Sequence, residues 1–594
     1  MLGKFLLSAT MLSIISSQVC AAGLTLVENG KSNYRIVLPR GSSPSEHHAA
    51  VELKDHLQQM SGALLPIVPE KTGPSILIGS LAAGGLVDVS DLGDEGFIIR
   101  TTGEDLVIAG GRLRGTMYGV YSFLEDHLGV RWYTGDVVKI PEMKTIRIPE
   151  MNVKELPAFG FRDIYYRHAW NRDFAARNRL NGHHKNLDRA RGGKRYYMRF
   201  VHTFRDLIPP REYGESNPEY FSLVDGKRLV KDYEGQLCLT NPDVLRISTE
   251  RVLEWIRNHP DSKLVSVSPN DYDNRCECDD CKTAAKEYGG QAGLLLKFVN
   301  DIAEVVGEQH PDVLIDTLAY WYTEWPPKGR IRAASNVKVR YCPIWACQTH
   351  AYADENCPEN HQYINNFRGW VEDADNLWIW HYVTNFVHLL APFPNFYELA
   401  ADARMYRDAR VGGVFWQGNG ERGGELAELR AWVISKLAWN PDIDVHATAH
   451  DFIYGYYGKA APYIRQYYDM LHREVKEKNL HITARAPVTA PLYSPELIAE
   501  ADRLFEFAER AAEDPDILDR VRRARMAVQY IQLFQPMEKK EFKGREEELL
   551  ARADHLYEMI NEVGIVRLGG WSDMKRVFEN TRKTLTDSIA ERNQ

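Results

Sequence analysis

The stretch VLIDTLAYWYTEWPP, Val313 to Pro327, decides how this chain is read. Its first eight residues are mostly apolar and carry no strict alternation, which fits a strand covered on both faces in a parallel sheet. The run then changes to Trp321, Tyr322, Glu324 and Trp325 and stops at two prolines. A buried strand that ends in such a cluster belongs to a parallel sheet carrying its site at the strand ends.

The same pattern recurs on both sides. FRDIYY (161–166), YMRFVH (197–202), QLCLT (236–240) and LVSVS (264–268) precede it, and VKVRYCPI (337–344), LWIWHY (377–382) and VGGVFWQ (411–417) follow. Amphipathic stretches lie between several of them, among them PDVLRISTERVLEWIRNH, AGLLLKFVNDIAEVV and FYELAADARMYRDA. Eight strands with intervening helices over residues 158–441 predict an α/β fold, a (β/α)8 TIM barrel. An open doubly wound sheet is the alternative, and the lack of a Gly-rich phosphate loop after the first strand counts against it. Residues 23–157 read as a small α+β sandwich. HHAAVELKDHLQQMSG sets Ala50, Leu53, Leu57 and Met60 on one helical face and stops at Gly62, and GFIIRTTGEDLVIAGG reads as a hairpin. Residues 442–594 read as an α-helical C-terminal domain without sustained heptads.

The first 22 residues read as a signal peptide: Lys4, an apolar run from Phe5 to Ile15, then small residues at Ala21 and Ala22. A secreted or periplasmic protein is expected, and no later apolar run is long enough to cross a membrane. A net charge of −9 gives no electrostatic reason to expect nucleic acid or an anionic membrane as partner. Of eight cysteines, seven follow the leader, an odd number for an oxidising compartment. Cys276, Cys278 and Cys281 form C-x-C-x2-C, one ligand short of a zinc site. Either a fourth ligand comes from Cys342, Cys347, Cys357 or a histidine, or bridges run to the loop from Cys342 to Cys357. The expectation is a structural staple for the loop after strand four, without a cofactor; structural zinc is the less favoured version.

The strand ends bring together His168 and Trp170; His202 and Thr203; Thr240 and Asn241; Asn270 and Asp271. They add Trp321, Tyr322, Glu324 and Trp325; Trp345, Gln348 and His350; His381, Tyr382 and Asn385; and Trp416, Gln417, Asn419 and Glu421. Rings stack on sugar faces, amides bind hydroxyls and carboxylates move protons, so this is the chemistry of a carbohydrate site. Each acid also has a plain structural reading: an Asx-turn at Asp271, a solvated loop acid at Glu324, helix-dipole partners at Glu421 and Glu425.

These blocks resemble known families. HHAAVELKDHLQQMSGALLPI through RGTMYGVYSFLEDHLGVRWYT is similar to the α/β domain that precedes the barrel in α-glucuronidases and β-hexosaminidases. NRLNGHH, HTFRDLIPP, NPEYFSL, SPNDYDNRCECDDC, TLAYWYTEWPP and VTNFVHLLAPFPN resemble the DUF4838 barrel domain, part of which is glycoside hydrolase family 163. That resemblance implies a retaining endo-β-N-acetylglucosaminidase acting on N-glycans by substrate-assisted catalysis. Hexosaminidase barrels often carry adjacent acids after strand four, where this chain has Asn270–Asp271. The resemblance then implies Glu324 as general acid and Asp271 as acetamide polariser, in interchangeable roles. His202, Asn270, Tyr382 and Gln417 would bind the substrate on a floor of Trp321, Trp380 and Trp416. The rivals are an α-glucuronidase, which needs Arg162 or Arg422 facing the pocket, and a non-catalytic glycan-binding protein.

Overall fold

A computed structural model describes residues 23–570 and 572–593, so the expected signal peptide lies outside the described residues. The chain forms two compact units, one ending at Gly129 and rejoined by Ile140–Glu155, the other made of Val130–Lys139 and everything from Leu156.

The first unit holds β1 (Arg35–Val37), α1 (Pro44–Ser61), β2 (Ile67–Val68), β3 (Ser75–Ile78), β4 (Phe97–Thr102), β5 (Asp105–Gly110), α2 (Gly115–Ser122) and β6 (Asn152–Glu155). They build a mixed sheet of order β6-β4-β5-β3-β1-β2, with the expected hairpin as the antiparallel pair β4/β5. Ser43 and Glu46 form a reciprocal capping box at the start of α1, and Gly62 ends it in the left-handed region at φ 84°. The face carrying Ala50, Leu53, Leu57 and Met60 is buried.

The second unit is built on a curled sheet of six parallel strands: β7 (Phe161–Ile164), β8 (Leu264–Ser266), β9 (Leu314–Ala319), β10 (Val337–Tyr341), β11 (Asn376–Tyr382) and β12 (Gly413–Gln417). Their order is β7-β12-β11-β10-β9-β8, with Ile164 beside Trp416 and Tyr382 beside Gln417. The helices packed around the sheet include α3 (Pro242–Asn258), α4 (Asp279–Glu287), α5 (Gln291–Gln309), α6 (His361–Asp373), α7 (Phe396–Asp408) and α8 (Ala427–Trp439).

Two of the eight expected barrel strands are corrected. Residues 197–203 run beside β8 as an irregular stave: Met198 N–H donates to Leu264 O, Ser266 N–H to Arg199 O, and Thr203 N–H to Ser268 O. The expected second strand therefore borders the fourth directly. Residues 236–240 are no stave. Leu237 bridges antiparallel to Phe221, and Asn241 accepts from the N–H groups of Asp243 and Val244 to cap α3. Its apolar residues are buried in the loop layer instead of the sheet.

Alternate residues of the strands meet in one aromatic cluster, with Phe161, Leu318, Cys342, Trp378, Trp380, Tyr382 and Phe415 buried together. Charged groups lie buried beside them. Arg340 pairs with Asp316, and Lys338 Nζ lies 3.4 Å from Asp316 and donates to the Tyr197 hydroxyl at 2.6 Å. Asp163 sits 3.3 Å from Lys185 Nζ and 2.8 Å from His184 Nδ1. Burial holds Lys338 down to about 7 and Lys185 to about 8, against the pull of these acids.

Beyond the sheet come α9 (Val445–Tyr457), α10 (Ala461–Lys478), α11 (Pro495–Ala511), α12 (Pro515–Lys539), α13 (Glu546–Val563) and α14 (Met574–Arg592), each of α10 to α14 packed on its predecessor. They are the expected C-terminal helices plus α14, which the sequence reading did not mark. No helix among the described residues is long and apolar enough to cross a membrane.

Candidate active site

The concave end of the curled sheet follows from its strand ends. Trp380, Tyr382 and Phe415 form a buried floor, and half-buried Tyr165, Phe200, Tyr320 and Phe386 pack around it. Trp380 stacks on Tyr382 with centroids 6.3 Å apart, and its Nε1 donates to Gln417 Oε1 at 2.6 Å. Period-two alternation puts Trp380 and Tyr382 on one face of β11, and Phe415 and Gln417 on the same face of β12.

Three histidines stand at this rim with fixed hydrogen bonds. His202 Nδ1–H donates to Pro269 O at 2.8 Å, which leaves Nε2 as an acceptor. His183 Nδ1 accepts from Tyr197 N–H at 3.0 Å, which leaves Nε2–H as a donor. Burial lowers both, His183 to about 4, so both are neutral near pH 7. His184 stacks on Phe415 with centroids 5.3 Å apart and donates from Nδ1 to Asp163.

Asp271 follows β8 and is half-buried; its Oδ1 is fully buried and accepts no hydrogen bond among the described residues. The negative field of Asp271 reaches His202, Tyr320 and Tyr382. Burial first and Asp271 second keep the Tyr320 hydroxyl protonated well beyond neutral pH. Trp321 Nε1 and Trp170 Nε1 are also buried without hydrogen-bond partners among the described residues. Buried polar atoms are nearly always paired, so an unpaired acceptor and two unpaired donors beside an aromatic floor suit a polar ligand. His202 and Trp321 also hold φ at 55° and 54°, and strained non-glycine backbone of this kind gathers at functional sites.

Of the expected residues, the structure brings Asp271, His202, Tyr382, Trp380 and Gln417 together, with Trp321 beside Tyr320. Three others do not face this mouth. Glu324 is only 3% exposed and accepts from Asn366 Nδ2 of α6 at 3.0 Å. Tyr341, its other neighbour, donates to Tyr363 O on that helix, so both lie on the helix-covered side of β10, opposite Arg340. Burial pushes the Glu324 carboxyl up to about 7, against the hydrogen bond from Asn366 and the pull of the nearby Tyr341 hydroxyl. Trp416 is 1% exposed and meets Phe159 edge-on, on the side of β12 opposite Phe415 and Gln417. Asn270 is buried and committed to its loop: Nδ2 donates to Gly235 O at 2.6 Å, and Oδ1 accepts from Arg205 N–H at 3.3 Å. Glu425 is paired with Arg430 in the interior, and Glu421 accepts from Val566 N–H.

The sequence reading missed Tyr165, His183, His184, Phe200 and Tyr320. NRLNGHH carries His183 and His184, and Tyr320 ends the apolar run that starts at Val313, so the signal was present for three of them. Trp345, which the reading did find, is exposed at the rim with the Arg485 guanidinium 4.9 Å above its ring.

Residues 25–123 match the Glycosyl hydrolase family 67 N-terminus, and residues 132–469 match the Domain of unknown function (DUF4838). Among solved structures the chain is similar to a family GH115 4-O-methyl-α-glucuronidase with specificity for decorated arabinogalactans. The identity is 13% and the TM-score 0.56, over 96% of this chain and 76% of that one. It is also similar to a GH138 enzyme targeting pectin rhamnogalacturonan II, at 12% identity and TM-score 0.53, over 94% of this chain and 100% of that one. These likenesses establish a fold of the glycoside-hydrolase type. More than half of the residues fall within the larger family match, and the chain belongs to the DUF4838 family. No curated protein matches it in sequence.

Proposed function

We propose that this chain is an exported glycoside hydrolase that cleaves a β-linked N-acetylhexosaminide in a glycan, such as the N-acetylglucosamine core of an N-glycan, with retention. The observation that carries the reading is Asp271: a half-buried carboxylate with one unpartnered buried oxygen, at a strand end, beside an aromatic floor. In the proposed reaction the substrate's acetamido oxygen attacks the anomeric carbon while the glycosidic bond breaks, and the leaving oxygen takes a proton from solvent water, which the water of the next step returns. Water then opens the cyclic intermediate. Asp271 sits where a negative charge orients and stabilises the acetamido N–H as that nitrogen becomes positive. Tyr320, Tyr382, His202 and Gln417 offer donors and acceptors to sugar hydroxyls, and Trp380 and Phe415 offer ring faces. The proton-donor role expected of Glu324 is dropped from this reading, because its carboxyl lies on the helix side of the sheet.

The curled sheet is read as an incomplete (β/α)8-type barrel. Asn181 supports closure between its edges: it donates to Arg162 O and accepts from Arg162 N–H on β7, and its carbonyl accepts from Arg195 N–H just before the irregular stave.

The α-glucuronidase alternative is favoured by the GH115 likeness in fold, but Arg162, one of its two anticipated cations, is committed elsewhere. Arg162 is fully buried and donates to the carbonyls of Phe159 and Arg179. The test is a panel of aryl β-N-acetylhexosaminides, aryl α-glucuronides and N-glycans with wild type and Asp271→Asn. A fold loss of about 10²–10³ in kcat is expected on N-acetylated substrates, whether the leaving group is aryl or sugar. Cleavage of glucuronides alone, or an Asp271→Asn variant at wild-type rate on every substrate, overturns the proposal.

A further inference from the structure

Cys238 comes from the segment that failed to become a strand, and it lies against the three cysteines of the C-x-C-x2-C motif. Its Sγ is 3.7 Å from Cys278 Sγ and 3.8 Å from Cys281 Sγ, and all four sulfurs lie within 4.8 Å of one another. A disulfide needs sulfurs about 2.05 Å apart. Four thiolates around one zinc ion, at about 2.3 Å each with tetrahedral angles, have sulfurs about 3.8 Å apart. The spacing is that of the metal site. We propose that Cys238, Cys276, Cys278 and Cys281 hold one structural zinc ion.

The surroundings supply what such a site needs. Three of the four thiols are buried, with Ala285 and Leu294 packed among them. Leu223 N–H points at Cys276 Sγ at 3.3 Å and Arg228 Nη1 at 3.7 Å, the outer donors that stabilise zinc-bound thiolates. Thr240 Oγ1 lies 3.2 Å from Cys281 Sγ. Cys278 caps α4 and Cys281 sits in its first turn, where the positive helix end faces thiolates. Zinc with four thiolates carries two net negative charges, and Arg228 with this helix end offsets them. The cysteine that lies beside the motif is Cys238, and not one from the Cys342–Cys357 loop.

The site ties down four pieces of chain: residues 236–240, the short hairpin at 223–228, the loop after β8 and the start of α4. Asn270 reaches the same structure through Gly235 O, and Gln236 Oε1 accepts from Asn270 N–H. The segment that carries Cys238 is thus hydrogen-bonded directly to the residue that precedes Asp271.

A second set rests on different residues. The geometry points to another zinc site at Cys347, His350, Cys357 and His481, whose ligand atoms also lie within 4.8 Å of one another. Cys347 Sγ is 3.3 Å from His350 Nδ1 and Cys357 Sγ is 3.5 Å from His481 Nδ1, against about 3.5 Å for sulfur and nitrogen on one tetrahedral zinc. His350 Nε2–H donates to Asn479 Oδ1 at 3.1 Å, the outer hydrogen bond that orients a metal-bound imidazole. His481 Nδ1 now lies 2.9 Å from Glu359 Oε2, a contact that ligation displaces. This site joins the loop after β10 to the segment following α10.

Elemental analysis of the full-length protein, purified without chelators, is expected to give about two zinc ions per chain. Cys278→Ser and Cys357→Ser are each expected to lose one and keep the other. Should a variant fail to fold, Co2+ titration of the metal-stripped wild type gives the same answer. Two equivalents are expected to produce intense tetrahedral bands, with sulfur charge transfer from four thiolates at one site and two at the other. Zinc-edge absorption should fit mixed sulfur and nitrogen neighbours. Absence of metal combined with no Co2+ spectrum overturns both sites, and peptide mapping that finds disulfides among Cys238, Cys276, Cys278 and Cys281 overturns the first. Iron in place of zinc overturns the metal assignment. None of these readouts depends on the glycosidase reading.

Discussion

Replacing Glu324 by glutamine separates a buried structural acid from a catalytic one. In the folded chain its carboxyl keeps its proton up to about pH 7, through burial; an unperturbed glutamic acid loses it near 4.5. A folded-state pKa raised in this way contributes stability that is fully present below pH 4.5 and disappears as pH rises towards 7. At about 1.4 kcal/mol per pH unit, the loss is about 3 kcal/mol, and it stays constant above pH 7. Glutamine keeps the shape, accepts from Asn366 and carries no proton to lose. Its stability relative to wild type is therefore expected to rise by about 3 kcal/mol between pH 4.5 and 7.5. Urea unfolding followed by tryptophan fluorescence, run on both proteins at half-unit pH steps, measures the difference directly. The kcat of the variant on an N-glycan, whose sugar leaving group needs a proton, is expected to stay within a few-fold of wild type. A flat stability difference across that range, or a kcat lower by about 10² or more, refutes the placement of this carboxyl on the helix side of β10.

Three further outcomes are expected. Arg340→Met strips the strongest partner from buried Asp316 and should cost about 3–5 kcal/mol in urea unfolding; a loss below about 1 kcal/mol would show that Lys338 suffices. Trp345→Ala, at the exposed rim beside Arg485, should raise KM for a long glycan with kcat unchanged, and leave an aryl monosaccharide unaffected; equal effects on both would place it at the reacting centre. His183 is held down to about 4 by burial, so the unfolded chain takes up its proton first as pH falls from 6.5. The chain should therefore lose stability through that window, less so for His183→Gln, and parallel profiles for the two proteins would contradict the assignment.

Much of the sheet was legible because strands buried on both faces read as short apolar runs, and six of the eight such runs are strands of one parallel sheet. QLCLT has the same appearance for another reason: Leu237 and Cys238 are buried under a loop and beside three cysteines. Hydropathy records burial, not what does the burying. The helix PDVLRISTERVLEWIRNH formed as expected, but Asn241, expected at the mouth, caps it instead. At the mouth, alternation along β12 already separates Trp416 from Phe415 and Gln417, so its position was readable. Glu324 was not: the turn at Trp321–Thr323, entered through a positive φ, carries the chain across the sheet edge. His481 stands more than a hundred residues from Cys357, and only the folded chain brings them together.

The direct pairing of residues 197–203 with β8 has a consequence for variation. The chain leaves the sheet after Thr203 and re-enters at Leu264, on neighbouring lines about 4.8 Å apart. Everything between, including α3 and Cys238, is a crossover that runs from the site end of one line to the far end of its neighbour. Changing the length of such a segment costs little in closure entropy, about 0.6 kcal/mol per doubling. Its exposed loops can therefore be lengthened or exchanged, altering what surrounds Asp271, while α3, the cysteine cluster and the six strands keep their places.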